Sequence, residues 1–129
     1  MKENYVKSDY AQTWLENEIV VQDIDPKVTE VNLEMAMQFV LDRKAASGSA
    51  ERMVRVLVIV NNAININQEA KKYYELEDSY INIKAIAMVM DNYIASFVAN
   101  LVFKIKKNRV PMEVFNNREK ALKWLEKYK

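Results

Sequence analysis

The chain reads as an α/β protein with a single mixed, mostly parallel sheet, an N-terminal β-hairpin and four helices, and three observations predict it. The runs VRVLVIV at 54–60 and AIAMVM at 85–90 are apolar with little two-residue alternation, the mark of strands covered on both faces. Segments with apolar residues three and four apart lie between and after them, and strands alternating with helices build a parallel sheet through right-handed crossovers. Near the start, two short runs rich in Val, Ile, Thr and Trp stand almost side by side, as in a hairpin.

The elements follow in order. Residues 11–15 and 18–24 form the hairpin, parted by Glu16 and Asn17, and Asp25-Pro26 ends it. Asn32 is placed to cap a helix with Leu33, Ala36, Met37, Val40 and Leu41 on one side, and Gly48 to stop it. Residues 53–60 are the central strand. Asn65 and Gln68 have capping-box spacing and open a second helix, to about residue 77, that buries Ala70, Tyr73 and Tyr74. Residues 81–90 are the second buried strand. Residues 91–107, DNYIASFVANLVFKIKK, form the third helix. At about 100° per residue, Ile94, Phe97, Val98, Leu101, Val102 and Ile105 make one stripe; Phe103 points nearly opposite, flanked by Ala95, Ser96 and Ala99. Residues 110–115 are the last strand, with Pro111 near its entry. Asn116 with Glu119 repeats the capping box, and Ala121, Leu122, Trp124, Leu125 and Tyr128 dock the final helix.

Composition narrows the function. A chain of 129 residues, half of them hydrophobic, suits one domain with a self-sufficient core. Nineteen basic against eighteen acidic residues leave no global field to attract nucleic acid, which is not an expected partner. Without cysteine there are no disulfides, thiolate nucleophiles or zinc-thiolate sites; without histidine the commonest general base is gone. No cofactor or metal is expected. The start, MKENYVKSDYAQ, has no apolar core of a signal peptide, and no apolar run is long enough to span a bilayer, so a cytoplasmic location without an integral membrane segment is expected.

The order β-β-α-β-α-β-α-β-α resembles the sulfate-transporter and anti-sigma-factor-antagonist (STAS) domain, in particular the bacterial STAS-like group sometimes bracketed with CRAL-TRIO lipid-transfer domains. The residues that carry the likeness are VRVLVIVNN, AIAMVMDNYIASFVANLVFKI and RVPMEVFNNREKALKWLEKY. In the last of these Pro111, Phe115, Glu119, Ala121, Trp124 and Leu125 match a "P…vF…eeAl.WL" pattern. The resemblance implies a phosphorylatable Ser or Thr in the turn after the central strand. This chain has neither residue type anywhere from Glu51 through Asp78, so that switch does not carry over.

The candidate sites are then few. The turn after the central strand offers Asn61, Asn62 and Asn65 to a ligand at the carboxyl end of the sheet, or to turn and cap formation, which asparagine also serves. Asp23, Asp25 and Asp91 are the carboxylates to weigh for catalysis, each with an ordinary turn or cap role available, and an enzyme using Asp91 or Tyr73 is a residual reading. The third helix carries more apolar surface than one core contact uses. Its Tyr93, Ala95, Ala99 and Phe103 are the candidate interaction surface of a non-enzymatic module that binds a protein partner, foremost a second copy of itself. The alternative is a carrier or sensor of a small apolar ligand or lipid, which needs a cavity between that helix and the sheet lined by Met37, Met88 and Met90. Lys104, Lys106, Lys107 and Arg109 end the same helix. Lys104 and Lys107 lie about 60° apart and Lys106 roughly 160° from Lys104, so the cations suit the helix dipole better than one lipid-facing patch.

Overall fold

The computed structural model describes residues 2–49, 51–76, 81–94 and 110–129. Its strands are β1 (Glu3–Lys7), β2 (Ala11–Glu16), β3 (Ile19–Ile24), β4 (Glu30–Val31), β5 (Val54–Ile59), β6 (Asn65–Ile66), β7 (Ile83–Val89) and β8 (Met112–Phe115). Helices α1 (Leu33–Ser47) and α2 (Gln68–Glu75) precede α3, whose described part is its first turn at 92–94, and α4 (Arg118–Leu125) runs into a 3₁₀ turn, Glu126–Tyr128.

The main sheet has the order β1-β2-β3-β5-β7-β8. β1, β2 and β3 are antiparallel neighbours; β3, β5, β7 and β8 run parallel. Each crossover therefore steps in the same direction across the sheet, and right-handed connections that never reverse place their helices on one face. Ala36 and Phe39 of α1, Ala70 of α2 and Ile94 of α3 accordingly share a core with Val20, Val56 and Ile86. The other face is left to α4, where Ala121 and Leu125 pack with Val21, Leu57, Ala85 and Ala87. Val56 and Leu57, adjacent on β5, are both buried because their side chains point to opposite faces and both faces are covered. The motif of the carboxy-terminal third is thus a packing device: Ala121 and Leu125 are fully buried and the Phe115 and Trp124 rings lie 5.8 Å apart.

Several local details differ from the sequence expectation. The hairpin turn is Asn17-Glu18, one residue later than expected, closed by the Glu16–Ile19 pair; both turn residues have positive φ, as a turn matching strand twist requires. β1 was not foreseen, because four of its five residues are exposed and an edge strand so exposed carries no apolar alternation. β4 and β6 pair parallel as a separate two-stranded sheet, putting Asn65 opposite Glu30. Asn65 is consequently a strand residue and not a cap. Asn67 Oδ1 accepts from Ala70 N at 2.9 Å, and in α4 the cap is Asn117 rather than Asn116, accepting from Lys120 N at 2.8 Å. Asn32 does cap α1, accepting from Met35 N at 2.9 Å, and Gly48 ends it with φ 85°.

The buried side of α1 is also rotated. Ala36 and Val40 are buried as expected, but Met37 and Leu41 are 45% and 58% exposed, and the inward line continues through Phe39, Arg43, Ala46 and Ser47. Polar groups share that inner face: Ser47 Oγ donates to Lys44 O at 2.6 Å, Gln22 Nε2 from β3 donates to Phe39 O at 3.0 Å, and the buried Asp42 accepts from Gln38 Nε2 at 2.8 Å through Oδ1 while its Oδ2 has no hydrogen-bond partner among the described residues.

Candidate functional site

The carboxyl ends of β3 and β5 meet at the asparagine turn. Asn61 Nδ2 donates to Asp23 Oδ1 at 2.7 Å and to Ile24 O at 2.6 Å, across 38 and 37 residues of chain. Asn62 Nδ2 donates to Pro26 O at 2.9 Å while its Oδ1 accepts from Ala63 N at 2.8 Å. These side chains tie the turn after the central strand to the loop leaving β3. Asp25 Oδ1 accepts from Lys27 N at 2.8 Å, an Asx turn that continues the same loop. The turn thus consumes Asn61 and Asn62 in wiring, and Asn65 stands apart from them in β6.

Beside this wiring lies a cleft of about 250 Å³ lined by Lys7, Ser8, Gln12, Asp23, Asp25 and Asn61 among others. Its outer wall is the β1–β2 turn, organised by Ser8, whose Oγ accepts from Tyr10 N and Ala11 N at 3.2 Å. The strand order never reverses, so the sheet has no topological switch point, the place where open α/β sheets form their ligand crevice. The cleft instead sits against the hairpin, and its groups offer hydrogen bonds of both senses with one cation and two carboxylates. The lining residues Lys7, Ser8 and Gln12 were not foreseen because they depend on β1.

At α3, Asp91 Oδ1 accepts from Ile94 N at 2.8 Å, the N-cap arrangement. The cap turns Ile94 into the core, 7% exposed, and leaves Tyr93 72% exposed. Of the candidate surface, Tyr93 is placed; Ala95, Ala99 and Phe103 lie outside the described residues, as do Lys104, Lys106, Lys107 and Arg109. Of the methionines proposed as cavity lining, Met88 and Met90 share one core and Met37 stands apart from them. Met90 is a buried core residue, Met88 packs against the same core, and Met37 faces out from α1.

Tyr73 and Tyr74 close the core beneath α2, their rings 5.9 Å apart. Burial pushes the Tyr74 phenol up to about 12, the Arg43 guanidinium offsetting part of that and Tyr73 adding to it. A phenol so raised is a neutral hydrogen-bonding group at neutral pH and not a base. Among the described residues no group of His, Asp and Glu is spaced to hold a metal ion, and no described helix is long and apolar enough to cross a membrane.

A family model described as a domain of unknown function, DUF7793, matches residues 13–129, from within β2 to the end of the 3₁₀ turn and Lys129. The chain belongs to this family. No curated protein and no solved structure matches it. The DUF7793 match covers the central strand, the asparagine turn and the docking motif of α4, and β1 precedes it.

One residue of note was legible as an exception. Arg55 interrupts the apolar run of the central strand and is nevertheless 2% exposed. A buried cation inside a core strand demands a reason that apolar periodicity does not supply.

Proposed function

We propose that this DUF7793 domain is a non-enzymatic, STAS-like interaction module that works as a homodimer through the outward side of α3, centred on Tyr93, Ala95, Ala99 and Phe103. The observation that carries the reading is the exposure of Tyr93 beside the buried Ile94, because it fixes which way the helix turns as it opens. By the helical periodicity of the sequence alone, Phe103 falls about 180° from Ile94, with Ala99 about 40° and Ala95 and Tyr93 each about 80° from Phe103, a spacing suited to a self-complementary contact. Met37 and Leu41, one turn apart on the outside of α1, add further apolar surface that the domain itself does not cover. The carboxylates weighed for catalysis favour the same reading, since Asp91 caps a helix and Asp23 and Asp25 hold the loop after β3.

The test is the mass in solution. Light scattering should give twice the chain mass for the wild type at high micromolar concentration, and the chain mass for Tyr93→Asp and Phe103→Asp with unchanged circular dichroism. A wild type that is monomeric under those conditions, or variants that keep the dimer, overturn the proposal.

A further inference from the structure

The amino ends of the parallel strands hold a second polar cleft, on the opposite edge of the sheet from the asparagine turn. It is lined by Glu18, Arg52, Met53, Arg55, Lys84 and Lys129 and has a volume of about 170 Å³. Strand register assembles it: Arg55 pairs with Ile19 of β3 on one side and Ala85 of β7 on the other, so Glu18 and Lys84 flank it one residue away.

The charges do not cancel. Lys129 Nζ is paired with Glu126 Oε2 at 3.2 Å, which leaves Arg52, Arg55 and Lys84 against Glu18. The whole chain carries a formal charge of only +1, so this local excess is created by the fold. Arg55 is its centre. Its Nη1 donates to Leu125 O at 3.2 Å and its Nη2 to Asn17 O at 3.5 Å, both main-chain carbonyls with partial charge only. A guanidinium has five N–H donors in a planar fork, and one this deeply buried ordinarily faces a full anionic charge.

We propose that this cleft binds a phosphate group, as inorganic phosphate or as the phosphate of a small ester. Arg55, 2% exposed, forms the floor of the cleft and supplies a fixed charge beneath the phosphate, its guanidinium held in place by its carbonyl acceptors at the end of α4 and in the hairpin turn. Arg52 and Lys84, both exposed, contribute charge at the rim. Glu18 selects. A carboxylate repels a fully deprotonated oxyanion such as sulfate, but accepts a hydrogen bond from the P–OH that phosphate retains near neutral pH. None of the residues lining the cleft belongs to the proposed dimer surface, so the proposal stands independently of the dimer.

The experiment is a titration of the full chain with sodium phosphate at constant ionic strength, followed by the Arg55 Nε–H resonance in ¹H–¹⁵N spectra, with chloride and sulfate as comparison anions. The expected result is a saturating shift with phosphate, a much weaker one with sulfate and none with chloride. Arg52→Gln combined with Lys84→Gln, both at exposed positions that leave the core intact, should weaken binding about tenfold, as expected for two rim charges near the anion. Glu18→Gln should raise sulfate binding toward that of phosphate, an effect that a purely structural role for Arg55 does not produce. Glycerol 3-phosphate identifies the source: tighter binding than inorganic phosphate assigns the site to an ester, equal or weaker binding to the free ion. A non-saturating response equal for phosphate and chloride, or saturation unchanged in the double variant, overturns the proposal.

Discussion

Replacing Asn61 with alanine tests whether the turn after the central strand is internal wiring or a ligand platform. The substitution deletes two donations from one amide, to Asp23 Oδ1 at 2.7 Å and to Ile24 O at 2.6 Å. The first accepts on a charged group but is exposed to water, so it contributes less than about 1 kcal/mol; the second is partly buried and contributes about 1 kcal/mol. Together they give a loss of about 1.5 kcal/mol, or a fall in Tm of about 5 °C for a chain of this size. Asn62→Ala removes one exposed donation to Pro26 O and a local acceptor, and should cost about half as much. Asn61→Asp should exceed the alanine variant, because it sets a second carboxylate against Asp23, and added salt should narrow that difference. Urea denaturation followed by tryptophan fluorescence measures all three. An Asn61→Ala protein with the wild-type midpoint would refute the wiring argument and return the asparagines to consideration as ligand groups.

Three further outcomes follow from the packing. Leu125→Ala empties a fully buried position where α4 meets the sheet and should cost about 3 kcal/mol in urea unfolding, with a clear loss of cooperativity at the α4 face if measured by hydrogen exchange. Asn67→Ala should lose about 1 kcal/mol and Asn65→Ala much less, since the cap is Asn67 and the expected capping-box residue lies in β6. In Tyr74 the folded-state value is raised from 10.0 to about 12, so its contribution is fully present below about pH 10 and is lost as pH rises through 12; Tyr74→Phe should flatten the alkaline limb of a stability profile between those values.

Residue type and spacing along the chain determined most of the architecture here. The unalternating runs of β5 and β7 required burial on both faces, and four Asx residues standing ahead of apolar periods marked where helices begin, to within one or two positions. Such signals are local: they arise from the backbone groups a helix end leaves open and from the two-residue pleat, and neither depends on what lies across the fold. The tertiary structure decided what depends on neighbours. β1 exists because β2 offers it an edge, which an exposed segment cannot announce by its own pattern. The inner side of α1 follows Phe39, whose carbonyl accepts from Gln22 of β3, and Arg43, while Met37 and Leu41 go to solvent although both are apolar. Asn61 became a clamp only when folding brought the loop after β3 within reach, and Arg55, Lys84 and Glu18 became one charged cleft only through the parallel register of three strands far apart in sequence. Periodicity reports which side of an element is apolar; which polar groups converge is set by register and crossover handedness, and that information belongs to the assembled sheet.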